Sequence, residues 1–498
     1  MKSADRNRNA TIIAQATPPG EGGIAVIRVS GPDAIPYTNR FFSGKRSLTR
    51  MPGYTIAHGY ITQEPRNQGT KEPRNQGPSL ESSNPRILES SPGILDEVLV
   101  SVFRAPHSYT GEDMTEISCH GGAAAGAAII RLLLAAGRTR PARPGEFTRR
   151  AVMNGKLDLA QAEAIPDLVR APSEKARQQA AAQLLGTFSR RIDELRGNLL
   201  AVQTDLTATL EFGDDLPAAS RRRTDGRLRA ARRQLDRLVK QAEAGPLLRQ
   251  GALVVIVGKP NVGKSSLFNR LLDEDRAIVT PLPGTTRDAL EANLSLDGIV
   301  IRLVDTAGWR TRTGRIEAIG KARARHYAER ADALLAVLDG SRPLTPEDRD
   351  VLAAVSDRRS ITVLNKTDLE AKSKVKGQKS KPGAVCNMQS AICNLQSPGT
   401  APWVRVSCRT GIGIPQLRSR LARLFTGRMP DADFIANQRH LDGLRRAARS
   451  VDRAARHDVL DVRVQELGSA LEALHELTGR VTSNEILDQV FSQFCVGK

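Results

Sequence analysis

The sequence is poor in the features that mark secreted, membrane-embedded and disulfide-rich proteins. Its 498 residues include only five cysteines, an odd number with no C-x-x-C pair, so neither a disulfide framework nor a zinc site is predicted. No apolar run approaches the length of a membrane span, and the N-terminal segment lacks the apolar core of a signal peptide. We therefore expect a cytoplasmic protein with no membrane contact.

Acidic and aromatic residues are also scarce. Asp and Glu number 54 against 74 Lys and Arg, a net charge of +20, and aromatic residues make up only 4% of the chain. This surplus favours a polyanionic partner, either nucleic acid or an acidic protein, and Arg-rich surfaces without a specific ligand remain the alternative. The chain is too long for one hydrophobic core, so about three domains are expected.

Two stretches have too few apolar residues to bury a face. Residues 63–92 contain EPRNQG twice, and residues 371–401 are rich in Lys and Ser and contain the imperfect repeat CNMQSAICNLQS. Both are predicted to be disordered surface insertions without a chemical role. Cys386 and Cys393, which lie in the second stretch, are then incidental.

A phosphate-binding loop is the strongest pattern in the chain. A short apolar run at 253–257 leads into GKPNVGKS at 258–265, and an amphipathic helix with apolar residues at 267, 268, 271 and 272 follows. The glycines let backbone N–H groups face a phosphate, and the helix N-terminus adds positive dipole. Lys264 is predicted to reach the β- and γ-phosphates, and Ser265 to hold magnesium.

Three further motifs follow in order, the first two directly after predicted strands. They are Asp305-Thr-Ala-Gly308, Asn365-Lys-Thr-Asp368 and Ser407-Cys-Arg409. An aspartate at the first position suits a magnesium-bound water. Asp368 is placed to accept hydrogen bonds from the N1–H and amino groups of guanine, while the Lys366 stem packs along the base. Together the motifs predict a doubly wound α/β P-loop domain that binds a guanine nucleotide.

The N-terminal part reads as a mixture of strands and loops. Runs at 11–16 and 24–29 flank a Pro- and Gly-rich turn and predict a hairpin, and a half-buried strand is expected around 98–102. Arg28 lies in the second run, where a solvated strand residue is the ordinary interpretation. Loops at 108–122 and 142–164 are either a binding site or a turn-rich linker.

Helical patterns dominate residues 157–243 and the chain after residue 433. In 221–240 the residues Ala231, Leu235, Leu238 and Val239 form one apolar stripe, and the opposite face is rich in arginine. That face is either a solvated surface or a contact surface for phosphate groups. Residues 482–485 resemble a capping box that opens a last helix.

Five stretches lie outside the common nucleotide-binding pattern: ATPPGEGGIAVIRVSG, YTGEDMTEISCHGG, RPGEFTRRAVMNGKLDLAQAEA, GTTRD and FSQFCVGK. In these stretches the chain resembles the bacterial and organellar tRNA-modification GTPase family MnmE, also called TrmE. Apart from the two insertions, the resemblance extends from about residue 10 to the last residue.

The resemblance implies a multidomain architecture. Residues 1–150 would form an α+β N-terminal domain that binds tetrahydrofolate and mediates dimerisation. Residues 151–248 and 429–498 would form a discontinuous all-α helical domain, and residues 249–428 would be the inserted α/β P-loop GTPase domain.

The resemblance also implies a function. A homodimer would work with the flavoprotein MnmG (GidA) in a heterotetramer-type complex and modify carbon 5 of the wobble uridine of certain tRNAs. The product would be a carboxymethylaminomethyl-type group, whose one-carbon unit comes from 5,10-methylene- or 5-formyl-tetrahydrofolate. GTP hydrolysis would drive a rearrangement of the GTPase domains. The matching folate residues are Arg28, Glu116, Lys156 and Lys498, while Cys495 acts either in the modification or as a structural residue.

For GTP hydrolysis the resemblance implies a potassium ion. Trp309 stands where small signalling GTPases carry a water-orienting glutamine. The resemblance implies that Glu317 has that role instead, and a solvated switch-helix residue is the alternative. The matching potassium ligands are Asn261, Thr280, Leu282 and Thr285, and the magnesium ligands are Ser265 and Thr286. The predicted GTP-binding residues are Asn261, Val262, Gly263, Lys264, Ser265, Ser266, Thr280, Thr285, Thr286, Asp305, Thr306, Ala307, Gly308, Asn365, Lys366, Asp368, Ser407, Cys408 and Arg409.

The sequence departs from the family pattern at Trp309, where leucine is usual, in the basic stretch 310–315, and at Cys408 and Arg409. Two alternative functions are considered. One is a ribosome-assembly GTPase that acts as an RNA-binding switch, which leaves the N-terminal motifs and the CVGK tail without a role. The other is a folate-binding protein with a degenerate GTPase.

Overall fold

The computed structural model describes residues 10–65, 93–212, 218–273, 291–305, 326–369, 403–426, 434–479, 484–492 and 494–498. Both predicted insertions fall almost wholly outside these ranges. The chain groups into two compact units: Met1–Pro166 together with Leu474–Lys498, and Asp167–Ala473. No helix in the described ranges is long and apolar enough to cross a membrane.

The strands are β1 Thr11–Gln15, β2 Ile24–Ser30, β3 Phe42–Gly44, β4 Thr55–Thr62, β5 Ile94–Phe103, β6 Met114–His120, β7 Thr139–Pro141, β8 Ala252–Val257, β9 Glu291–Leu296, β10 Ile299–Asp305, β11 Ala333–Asp339, β12 Ser360–Asn365 and β13 Trp403–Arg405.

The α-helices are α1 Ala34–Phe41, α2 Ala123–Ala135, α3 Glu146–Met153, α4 Leu159–Arg170, α5 Glu174–Leu184, α6 Thr187–Phe212, α7 Ala218–Glu243, α8 Gly245–Gln250, α9 Lys264–Asp273, α10 Pro346–Val355, α11 Ile414–Thr426, α12 Gln438–Arg456, α13 Leu460–Thr478 and α14 Asn484–Phe491. A short 3-10 helix spans Leu48–Arg50.

A seven-stranded sheet forms the centre of the first unit. Its order is β3-β4-β5-β6-β2-β1-β7, and its pairs are antiparallel except for β1 with β7. The predicted hairpin is confirmed as β1 and β2. The predicted alternation of buried and more exposed residues is confirmed in β5, where Val98, Val100 and Val102 are buried. These side chains form one core with Ile129 and Leu133 of α2.

The part of the second unit that contains the predicted phosphate loop is a six-stranded sheet in the order β13-β12-β11-β8-β10-β9. Every pair is parallel except the edge pair of β9 and β10. The predicted strands at 253–257, 301–304, 334–338 and 361–364 are all present. In this topology the chain leaves β8 toward one side of the sheet and later returns to its other side, so the carboxyl end of β8 lies at a switch point where α/β proteins bind ligands.

The remaining helices of the second unit come from two chain segments, one before and one after the segment that forms this sheet. α7 packs against α6 and α12, and α5 packs against α8. The predicted apolar stripe of α7 is confirmed, because Ala231, Leu235 and Leu238 are buried and Val239 is half-buried. The chain therefore combines an α+β sheet unit, a two-segment set of helices and an α/β P-loop domain. The four-segment division by residue number stays a prediction.

Candidate functional site

The phosphate loop connects β8 to α9 and takes a conformation that its sequence makes possible. Gly258, Asn261 and Gly263 have φ values of +148°, +63° and +98°, which glycine adopts without cost and asparagine tolerates. A Cβ atom on Gly258 would lie 2.4 Å from the carbonyl oxygen of Val337, and one on Gly263 would lie 2.2 Å from Asn365 Nδ2. The consensus glycines are therefore required by close approach as well as by dihedral angle.

Lys264 is the first residue of α9 and is only 7% exposed. Its ammonium donates to the carbonyl oxygens of Gly258, at 2.9 Å, and Lys259, at 2.6 Å. Two backbone carbonyl groups of the phosphate loop thus hold the positive charge of Lys264 against that loop. A triphosphate bound there would receive a preorganised cation next to a helix N-terminus.

Ser265 and Asp305 meet at the next position. The Ser265 hydroxyl donates to Asp305 Oδ2 at 2.5 Å, and Asp305 is the last residue of β10 and 2% exposed. An alcohol oxygen beside a buried carboxylate is a hard oxygen donor pair of the kind that Mg²⁺ binds. The chemistry of these two residues therefore fits a magnesium ion, which they would hold.

Asn365 joins three loops on the guanine side. Its Nδ2 donates to the carbonyl oxygen of Val262 at 2.9 Å, and its Oδ1 accepts from the backbone N–H of Cys408 at 3.2 Å. Its own carbonyl oxygen accepts from the N–H of Gly340 at 2.7 Å. A single side chain, 2% exposed, thus ties the phosphate loop to the loop after β13.

Asp368, the predicted guanine-reading residue, is oriented by a neighbour from the last motif. Ser407 is fully buried, and its hydroxyl donates to Asp368 Oδ1 at 2.7 Å. Lys366 has a φ of +65° and bonds Asp339 Oδ2 at 2.8 Å. Burial opposes ionisation of Asp339, but the Lys366 and Ser341 hydrogen bonds outweigh it and hold the pKa of that carboxyl below its usual range.

Cys408 and Arg409 complete the last motif. The backbone N–H of Cys408 donates to Asn365 Oδ1. Burial raises the pKa of the Cys408 thiol to about 11. Arg409 is exposed. The departure from the family pattern therefore places a neutral, inert thiol at this position and leaves the backbone donor in place.

Two contributors were missed from the sequence. Lys259, a variable position of the phosphate loop, bonds Thr345 and lies 3.1 Å from carboxylate oxygens of both Glu347 and Asp348 at the start of α10. Asp339 orients Lys366. The position of Asp339 at the carboxyl end of a predicted strand was a usable signal for this role. No sequence pattern links Lys259 to α10.

Several predicted residues cannot be compared with the structure. Thr280, Leu282, Thr285, Thr286, Thr306, Ala307, Gly308, Trp309 and Glu317 lie outside the described residues. Of the predicted potassium ligands, Asn261 alone falls within the described ranges. Ser266 follows Ser265 on α9 and is exposed.

A second polar cluster lies in the first unit and joins two of the predicted folate residues. Arg28 on β2 faces Glu116 on β6, and its Nε and a terminal nitrogen donate to Glu116 Oε1 at 2.9 and 2.7 Å. The guanidinium lies 5.0 Å from the centre of the Tyr109 ring and 5.6 Å from that of Phe147. Both charged side chains are about one-fifth exposed, so the pair is accessible from one side.

The C-terminal tail ends at this cluster. The carbonyl oxygen of Gly497 accepts from Arg28 at 3.5 Å, and a Cβ atom on Gly497 would lie 2.1 Å from the carbonyl oxygen of Gln15. Burial, with the Arg28 charge adding to it, lowers the pKa of the Lys498 ammonium. Cys495 is exposed, and its carbonyl oxygen accepts from the N–H groups of Gly145 and Lys498.

Lys156, the remaining predicted folate residue, lies in the exposed turn after α3. Its Cγ is 3.3 Å from where a Cβ of Gly111 would lie, and the neighbouring Asn154 donates to the carbonyl oxygen of Thr110 at 2.7 Å. The predicted binding loops 108–122 and 142–164 are therefore in contact. No hydrogen bond between Lys156 and the Arg28–Glu116 pair is present in the described structure.

The phosphate loop, the Ser265–Asp305 pair and the guanine-side loops define a P-loop GTPase domain. Residues 159–495 match the family model described as the MnmE helical domain, and residues 11–156 match that of the GTP-binding protein TrmE N-terminus. The chain belongs to the MnmE family of tRNA modification GTPases, and the resemblance stated from its motifs is confirmed.

Full-length relatives agree with this assignment. The chain is 37% identical to tRNA modification GTPase MnmE of Natranaerobius thermophilus, over 98% of this chain and 99% of that protein. It is 38% identical to the protein of the same name from Heliobacterium modesticaldum, with the same coverage of both chains. Among solved structures, the G domain of the T. maritima FeoB iron transporter is 25% identical, with a TM-score of 0.24, and covers 35% of this chain and 98% of its own.

Proposed function

We propose that this chain is a potassium-dependent GTPase that modifies carbon 5 of the wobble uridine in certain tRNAs, together with a flavoprotein partner. The observation that carries the proposal is the meeting of Lys264, the Ser265–Asp305 pair and Asn365 at the carboxyl ends of the parallel strands of one sheet. This arrangement suits a guanine nucleotide with magnesium. The names of the relatives supply the coupling to tRNA.

Potassium would be held by Asn261 with Thr280, Leu282 and Thr285. Asn261 supports this because its left-handed backbone, with φ of +63°, lets an amide side chain project from a loop otherwise made of backbone donors. When bound, the ion would supply the positive charge that an arginine finger provides in other GTPases. Glu317 would orient the attacking water, a role for which Trp309 has no suitable group.

The Arg28–Glu116 cluster would bind the folate. A carboxylate accepts hydrogen bonds from the N–H groups of a pterin. Cations such as Lys156 and Lys498 suit the acidic tail of a folate. The rings of Tyr109 and Phe147 beside Arg28 add flat apolar surface for a bicyclic ligand. When bound, the folate would supply the one-carbon unit, and Arg28 and Glu116 would fix its orientation.

Exposed apolar residues on the first unit support a homodimer. On β4 the side chain of Ile56 is 65% exposed and that of Tyr60 37%, and Leu99, which pairs with His58 in the sheet, is 46% exposed. Such side chains on one sheet face are typical of a protein interface. We assign this face to a second copy of the chain.

Cys495 is exposed, and it belongs to the C-terminal tail, in which Gly497 contacts Arg28. This position leaves both the chemical and the structural role open to test. A Cys495→Ser variant that keeps GTP turnover but loses tRNA modification would assign the thiol to the modification step.

Two measurements test the proposal. Mass spectrometry should show that tRNA nucleosides from a deletion strain lack the aminomethyl-type wobble modification. Complementation with this chain should restore it. Unchanged nucleosides would favour the ribosome-assembly alternative. GTP turnover should be at least about tenfold faster in potassium than in sodium, because charge stabilisation at the phosphates is a large catalytic contribution. Equal rates would refute the potassium mechanism.

A further inference from the structure

Two helices of the second unit carry half of the positive surplus of the whole chain. α7 contains nine Arg and Lys against three Asp and Glu, and α12 contains six Arg against two Asp. Their surpluses of six and four compare with +20 for all 498 residues. Such a concentration of one sign on two packed helices indicates a binding surface for a polyanion.

The two helices pack through apolar faces and leave a charged groove between their outer edges. Leu228 and Leu235 of α7, and Leu444 and Val451 of α12, are buried. The groove encloses about 570 Å³. Its charged lining residues are four arginines and three aspartates: Arg232, Arg445, Arg446, Arg449, Asp236, Asp442 and Asp452. We call this surface the arginine groove.

Part of the arginine set holds the helices together. Arg232 bonds Asp236 at 3.0 Å on its own helix and also bonds Asp452 of α12. Arg445 of α12 bonds Glu243 of α7 at 2.8 Å. The pairs Arg232–Asp452 and Arg445–Glu243 link the two helices. The third acidic residue of the lining, Asp442, accepts a hydrogen bond from Gln438 on its own helix at 2.8 Å.

Another part of the set has no such role. Arg229, Arg233 and Arg237 of α7 and Arg449 of α12 are exposed, and none makes an ion pair with any residue that the structure describes. The three on α7 recur every fourth residue, so they form one row about 12 Å long beside the groove. Like charges at this spacing repel each other and destabilise a helix. A bound polyanion removes that repulsion.

The chemistry of the surface favours nucleic acid over an acidic protein. Neither α7 nor α12 contains Phe, Tyr or Trp, and the apolar lining of the groove consists of Val239 and Ala448. The centres of protein interfaces are enriched in aromatic residues, whereas nucleic-acid interfaces are polar and strongly positive. These two helices therefore offer no aromatic ring on which a base could stack.

We propose that the arginine groove, with the row Arg229–Arg233–Arg237, binds the phosphate backbone of RNA without reading its bases. The inference rests on the proposed function for the identity of that RNA as the substrate tRNA. The groove then supplies affinity and orientation, while recognition of the wobble base belongs to other parts of the assembly.

The test uses the full chain and a fluorescent, unmodified tRNA transcript, with affinity measured by anisotropy over about 0.05–0.3 M KCl. The variant carries R229Q, R233Q, R237Q and R449Q, because glutamine keeps helix propensity and removes charge. The slope of log K against log salt should fall by about 3, at 0.7–0.9 per phosphate contact, and Kd should rise at least tenfold at about 0.1 M salt. GTP turnover without tRNA should be unchanged.

A matched control carries the same four-charge change elsewhere, as R46Q, R131Q, R349Q and R423Q, which are exposed and make no ion pair with a described residue. An equal loss in the control, or an unchanged slope in the groove variant, overturns the inference. If the fourfold variant loses helicity, the pairs R229Q/R233Q and R237Q/R449Q carry the test, each lowering the slope by about 1.5.

The outcomes separate this inference from the proposed function. If the deletion strain loses the wobble modification but the groove variant binds tRNA normally, the inference fails and the proposed function stands. If that variant also fails to restore modification, the groove serves an acidic protein partner. If the deletion strain keeps its modification, the proposed function fails whatever the variant binds.

Discussion

Asn365 offers the sharpest test of how the nucleotide site is held together. Its amide makes two hydrogen bonds, to the Val262 carbonyl oxygen at 2.9 Å and from the Cys408 N–H at 3.2 Å. Asn365→Ala removes both and leaves two backbone groups unpaired. At about 1–1.5 kcal/mol for each, after relaxation and entry of water, the loss is about 2–3 kcal/mol. The loops then lack their preorganisation, and nucleotide binding must restore it.

That free energy corresponds to a rise of about 30- to 150-fold in the Kd for GDP or GTP. The assay is a titration with a fluorescent guanine nucleotide in magnesium. Asn365→Asp should weaken binding at least as much, because it keeps the acceptor for Cys408 but turns an oxygen toward the Val262 carbonyl. Thr362→Val is the matched control on β12: the Thr362 hydroxyl is buried and bonds no described residue, so its removal should leave affinity unchanged. A Kd for Asn365→Ala within threefold of the parent would refute this account of the site.

Gly263→Ala should abolish nucleotide binding, since the new Cβ would lie 2.2 Å from Asn365 Nδ2 at a φ of +98°. In its control, Gly197→Ala in α6, the new Cβ meets nothing within 4 Å, so nucleotide binding should be unchanged and the free energy of unfolding should rise by up to about 1 kcal/mol. Titration with the fluorescent nucleotide checks binding by both variants, and denaturant titration checks their stability. Burial raises the pKa of the Cys408 thiol to about 11, so below that pH the unreactive neutral form dominates. Iodoacetamide labelling at pH 8, read by mass spectrometry, should therefore modify the exposed Cys495 and spare Cys408 until the chain unfolds. Equal labelling of both thiols would contradict the buried environment of Cys408.

The sequence predicted the nucleotide-binding strands well because their patterns are local. The apolar runs before Gly258 and Asn365 are short, continuous and bounded by glycine or polar residues, as expected of strands buried on both faces. The helical stripe of α7 was equally readable, since a period of 3.6 residues appears within a few turns. The family followed from motifs spread over the whole chain.

The same patterns did not reveal how distant loops are joined. The strand pattern around Arg28 predicts only an ordinary solvated residue, because its partner Glu116 lies 88 positions away on another strand. The tether from Lys259 to the start of α10 spans 88 or 89 positions, and nothing near Lys259 points to it.

The sequence by itself determined that the chain has a phosphate loop, a guanine-reading motif and an arginine-rich helix, because each depends on residues that are neighbours along the chain. Tertiary structure alone decided which of these groups meet. Asn365 bonds Val262 across 103 positions, and Arg28 meets the Gly497 carbonyl oxygen across 469. It also decided that the charged face of α7 lies beside that of α12. Strand register and helix packing set such contacts, and they depend on the whole core rather than on any local pattern.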